Sequence, residues 1–99
     1  MEKFSVAIQV LPQTNSKEET VRIVDEVIAY IASFDVNYVV TPFETVIEGD
    51  FETLMKIVQG FQDVAIRAGA PSVMSYLKMN YSPKEGVLTI DEKTGKYNR

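Results

Sequence analysis

The sequence contains no cysteine and no histidine. Without cysteine, disulfides, thiolate zinc sites, iron–sulfur clusters and cysteine nucleophiles are excluded. Without histidine, the usual general base near neutral pH and the commonest transition-metal ligand are gone as well. No stretch approaches the roughly 18 apolar residues of a membrane span. The opening run to Pro12 lacks the longer apolar region and small-residue cleavage site of a signal peptide. Positive charge is not in excess: 10 Lys and Arg stand against 14 Asp and Glu, a net charge of −4. That balance disfavours a nucleic-acid partner, whose phosphate backbone requires a positive field. P-loop, GxGxxG, GxSxG and EF-hand patterns are also missing. These absences predict a cytoplasmic chain with no membrane or nucleic-acid partner, no metal and no cofactor. An enzyme would be left with a perturbed Glu, Lys or Tyr as acid or base, and none is expected.

What is present suits one globular domain over residues 1–99: 45% hydrophobic and 24% charged residues. Phe4, Val6, Ile8 and Val10 alternate with Ser5, Ala7 and Gln9, a strand that Pro12 ends. Ser16 and Glu19 have capping-box spacing, and Val21, Val24, Val27, Ile28 and Ile31 then recur at helical period, predicting a helix over 17–33. Asn37–Thr41 and Thr45–Glu48 read as a hairpin turning at Pro42-Phe43-Glu44. Asp50 can cap a second helix whose apolar stripe runs from Leu54 through Ile57 and Phe61 to Ala68, stopping at Gly69. Gly60 inside that helix predicts close packing. Ser72–Asn80 reads as a fourth strand, and Thr89 with Glu92 predicts one short helix in the polar remainder, where Asp91-Glu92-Lys93 suits a solvated tail.

The order β-α-β-β-α-β with right-handed crossovers predicts an α+β, ferredoxin-like fold, a four-stranded antiparallel sheet with both helices on one face. The covered face takes Phe4, Val6, Ile8, Val10, Tyr38, Val40, Thr45, Ile47, Val73 and Leu77. The open face takes Ser5, Ala7, Gln9, Val39, Thr41, Val46, Glu48, Met74, Tyr76 and Lys78. An open face ordinarily carries more charge. This one resembles a surface that meets another sheet, which predicts a homo-oligomer.

Among candidate site residues, Glu48 closes a central strand. It is placed either to accept from a ligand amine or to receive backbone N–H groups at the start of the second helix. Gln9 offers a donor and an acceptor on the half-buried face, for a ligand or for a subunit interface. Tyr76 can stack on a flat ring, and Tyr38 suits packing at the core edge.

The string Tyr38-Val39-Val40-Thr41-Pro42-Phe43-Glu44-Thr45-Val46-Ile47-Glu48-Gly49 resembles the thiamine-binding family of small ferredoxin-like proteins. So do Val6-Ala7-Ile8-Gln9-Val10-Leu11-Pro12, Ala68-Gly69-Ala70-Pro71 and Leu77-Lys78-Met79, in that order over about residues 4–97. The resemblance implies a cytoplasmic, non-enzymatic protein that binds thiamine or its hydroxymethylpyrimidine moiety, assembled as a homodimer or homotetramer by sheet packing. It implies ligand contact by Thr45 and Glu48 on the T-x-x-E-G segment and by Gln9 on the first strand, with Tyr76 as a ring platform. The chain departs from its relatives at Phe43-Glu44, where a bulky ring and an added charge reshape the pocket. The alternative is a regulatory or oligomerisation module whose sheet face serves assembly alone.

Overall fold

The computed structural model describes residues 2–98; Met1 and Arg99, the ends of the expected 1–99 domain, lie outside the described residues. The elements follow the predicted order: β1 (Phe4–Pro12), α1 (Lys17–Ala32), β2 (Asn37–Val40), β3 (Thr45–Gly49), α2 (Phe51–Arg67), β4 (Val73–Tyr81) and α3 (Ile90–Thr94). A 3-10 turn, Gly95–Tyr97, follows α3. The strands form one antiparallel sheet in the order β2-β3-β1-β4.

Helix starts are set by the side chains expected to set them. Ser16 accepts from the Glu19 N–H at 3.1 Å, and Asp50 accepts from the Thr53 N–H at 2.9 Å. The hairpin between β2 and β3 is closed by Thr41, whose hydroxyl accepts from the Glu44 N–H at 3.1 Å while its own N–H donates to the Glu44 carbonyl at 3.0 Å.

Alternation along the strands decides the layers. Phe4, Val6, Ile8 and Ile47 point under the helices and are buried against Ile23, Val27 and Ile31 of α1 and Leu54, Ile57 and Phe61 of α2. The α1 stripe is rotated from the one the spacing suggested: Ile23 is fully buried, whereas Val21 is 59% exposed. The sheet selects the row Ile23-Val27-Ile31, spaced at i, i+4 and i+8, and Val21 falls off its edge.

The two helices approach closely at Gly60, as its placement inside α2 predicted. A Cβ there would collide with the Tyr30 ring and hydroxyl, and that hydroxyl donates to the Lys56 carbonyl at 3.2 Å. Gly60→Ala should therefore lower stability by about 1–2 kcal/mol, although alanine is intrinsically the better helix former by about 1 kcal/mol. In a Tyr30→Ala background the obstacle is gone and the same substitution should stabilise. Urea denaturation of the four proteins checks the reversal of sign, and a stabilising Gly60→Ala in the parent would refute the contact.

The polar C-terminal stretch is not a free tail. Gly86, at φ 82°, turns the chain so that Val87 bridges Glu2, donating to its carbonyl at 2.8 Å, and Val87 is buried. A left-handed backbone at this point suits glycine. The chain then crosses the sheet face opposite α1 and α2, the face free of the two long helices, and forms the short α3 there. Thr89 and Glu92 complete the predicted capping box, with bonds of 2.9 and 3.0 Å. The Thr89 N–H, and after it the Thr89 hydroxyl, hold the Glu92 carboxyl below its ordinary value. The cap's contribution is thus complete above that ordinary value and is lost as the pH falls through the lowered one. No described helix is long and apolar enough to cross a membrane.

Candidate functional site

The helix-free face contains a groove of about 350 Å³, within the size range of small-molecule sites. Its floor is made of short or branched side chains from adjacent strands: Ser5 and Ala7 on β1, Val46 on β3 and Val39 on β2. Cross-strand register puts Val39, Val46, Ala7 and Lys78 in one row across the sheet. Ala7, with a single methyl, makes the low point of that row. Ile90, Lys93 and Thr94 from the C-terminal segment form one wall, and Glu44 with Lys78 forms the opposite one. The run expected to be a solvated tail, Asp91-Glu92-Lys93, is exposed throughout, and Lys93 also borders the groove.

The C-terminal wall is held by Glu48. Its Oε2 accepts from the Ile90 N–H at 2.7 Å, and its Oε1 accepts from the Asn37 Nδ2 at 2.6 Å. The residue is only 4% exposed. Of the two uses open to Glu48 in the sequence, this geometry is the capping one. The helix it serves is α3, however, because Asp50 already caps α2. Each carboxylate oxygen thus has one partner from its own chain.

The other expected site residues separate. Gln9 and Tyr76 are paired across β1 and β4 on the helix-free face. There Tyr76 is 58% exposed and its hydroxyl lies 3.6 Å from the Met74 sulfur. Thr45 pairs with Ile8 on the helix-covered side and is buried at 7% exposure. The structure therefore brings Gln9 and Tyr76 together. Glu48 lies at the opposite end of the same face, and Thr45 faces the opposite side of the sheet. Tyr38, on the covered side of edge strand β2, was expected to pack at the core edge; it is exposed and is not among the residues packed against the core, because β2 lies at the rim of the sheet.

Glu44 and Lys78 take a larger part than the sequence suggested. The Lys78 Nζ lies 3.2 Å from Oε1 and 3.3 Å from Oε2 of Glu44. Phe43, its neighbour at the hairpin tip, is 79% exposed and does not line the groove. Of these two hairpin residues, Glu44 is the one that lines the groove. A signal was present in the sequence, since Glu44 and Lys78 share the parity of the open-face residues. Their meeting across 34 positions needed the strand order. Among the described residues, no group of three or more His, Cys, Asp or Glu is placed to hold a metal ion.

Comparison with known proteins places these features in a wider group. A family model described as thiamine-binding protein matches residues 6–98. A UPF0045 protein of Clostridium perfringens is 40% identical over 97 residues, covering 98% of this chain and 99% of that protein. A Bacillus cereus structure, described as a DUF77 domain of unknown function, superposes with a TM-score of 0.85 at 34% identity, over 97% of this chain and 90% of that one. A Thermotoga maritima structure, provisionally assigned to thiamine biosynthesis or salvage, superposes with a TM-score of 0.84 at 30% identity, over 96% and 98% of the two chains.

Proposed function

Because the chain belongs to the thiamine-binding protein family, we propose that it binds thiamine or the hydroxymethylpyrimidine moiety of thiamine, without turnover, in the groove on the helix-free face. The observation that carries this reading is the groove's construction. A flat floor of Ala7, Val39 and Val46 is bordered by the hydrogen-bonding groups of Ser5, Asn80 and Thr94 and by the Glu44 carboxylate. An aminopyrimidine needs such a mixture, since it presents an apolar face to a floor and donors and acceptors along its edge.

In this reading Gln9 and Tyr76 extend the site beyond the groove, with the Tyr76 ring as a platform and the Gln9 amide as an edge reader. Glu48 acts at one remove by fixing the Ile90 wall, and Thr45 supports the hairpin that carries Glu44. Calorimetric titration with thiamine should give saturable heat with one site per chain. No heat and no thermal shift at millimolar thiamine would reject the proposal.

Assembly belongs to the same reading. Strand β4 is a nine-residue edge strand on which Met74, Tyr76, Leu77, Met79 and Tyr81 are all more than a third exposed. A long apolar edge invites pairing or packing with another sheet. A homodimer or homotetramer formed by sheet packing would cover it. Light scattering on the eluting protein should report more than one chain per particle, and a monomer at all concentrations would contradict it.

A further inference from the structure

We propose that Glu44 is the carboxylate that recognises a positively charged group of the ligand, and that Lys78 is an internal stand-in for that group which the ligand must displace. The inference rests on the reading of the groove as a thiamine site and adds the residue that sets its preference for a cation. Lys78 belongs to β4 and Glu44 immediately precedes β3, with β1 between the two strands. Neighbouring strands lie about 4.8 Å apart, so the Lys78 side chain must reach over β1 to make its 3.2 Å contact. By register it crosses between the Ala7 row and the Gln9–Tyr76 row. The small Ala7 leaves room for this crossing. The result is a strap that separates the groove floor from Gln9 and Tyr76.

The two partners differ in how firmly they are held. The Glu44 side chain is 27% exposed and the Lys78 side chain 73%. The carboxylate is therefore partly buried, whereas the ammonium sits on a long, solvated stem. An ion pair this exposed is weak and screened by salt. A cation that also covers the apolar floor brings burial that Lys78 does not, so it can take the lysine's place at Glu44. Among the described residues lining the groove, Glu44 is the one carboxylate, and the nearby Glu48 is buried and accepts from the Ile90 N–H. Displacement of Lys78 would also open the floor toward Gln9 and Tyr76.

Thiamine and neutral hydroxymethylpyrimidine are the probes, titrated into the parent protein, Lys78→Met and Glu44→Gln. Removing the competing ammonium should tighten thiamine binding twofold to fivefold, the range that an exposed pair can withhold. It should leave the neutral pyrimidine within twofold. Glu44→Gln should weaken thiamine about tenfold, the loss of one charge-assisted contact. Weaker or unchanged thiamine binding in Lys78→Met would overturn the displacement model, as would unchanged binding in Glu44→Gln. A parent protein that binds neither probe would instead refute the thiamine reading itself, so the two failures are distinguishable. Both side chains are at the surface, and a circular dichroism melt confirms that each variant folds.

Discussion

Glu48→Ala is expected to lower the stability of the protein by about 1–3 kcal/mol and to release the C-terminal segment from the sheet. The substitution leaves the partly buried Ile90 N–H, now 2.7 Å from a carboxylate oxygen, without its acceptor, whereas the amide of the exposed Asn37, 2.6 Å from the other oxygen, can turn to water. Stranding a buried donor costs about 1–3 kcal/mol, more than the net gain from forming a typical bond. Glu48→Gln should cost less, because its carbonyl oxygen can still serve one of the two donors, although its NH2 then faces the other. Urea denaturation measures the loss, and hydrogen exchange at Ile90 locates it: that amide should lose protection before the core of β1 does. A Glu48→Ala protein of unchanged stability, with Ile90 still protected, would show that the wall is held by something else.

Filling the groove floor should have the largest effect on binding. Ala7→Leu sets a branched side chain at the low point of the Val39-Val46-Ala7 row, where a ring is proposed to lie. The substitution projects into the groove and away from the core residues Val6 and Ile8 on the other face. Stability should therefore stay within about 0.5 kcal/mol. Thiamine affinity should fall by roughly 10–100-fold, the equivalent of forcing extra methylenes into an occupied site. An affinity close to that of the parent protein would place the ligand elsewhere.

Much of the architecture was legible in local patterns, and the reason is geometric. Period-two alternation in β1 and β3 assigned Phe4, Val6, Ile8 and Ile47 to one face and Ser5, Ala7 and Val46 to the other. A strand has no third option for its side chains. Caps at Ser16, Asp50 and Thr89 were visible because each depends on residues within three positions of itself. The close approach at Gly60 was visible because a glycine inside a helix needs a reason.

The site was less legible because it depends on contacts between distant parts of the chain. Glu48 has the same parity as the open-face residues, yet its use was decided by Ile90, 42 positions later. No periodicity describes a segment that folds back across a sheet. Glu44 stood out as an unusual charge in the hairpin, but its partner Lys78 is brought near by the strand order and not by sequence spacing. Thr45 shows the reverse difficulty. The family pattern groups it with Glu48, but the odd separation of three positions in a strand sends the two side chains to opposite faces. In α1, the side on which the helix meets the sheet buries Ile23 and exposes Val21, a choice that a helical repeat alone does not contain.

The most direct measurement is a map of backbone amide shifts as thiamine is added to the isotope-labelled protein. The account predicts saturable changes concentrated at Ser5, Ala7, Val46, Lys78 and the Ile90–Thr94 segment, with little change along the outer surface of α1. Saturable changes confined to the helical face, or no changes at millimolar thiamine, would contradict it.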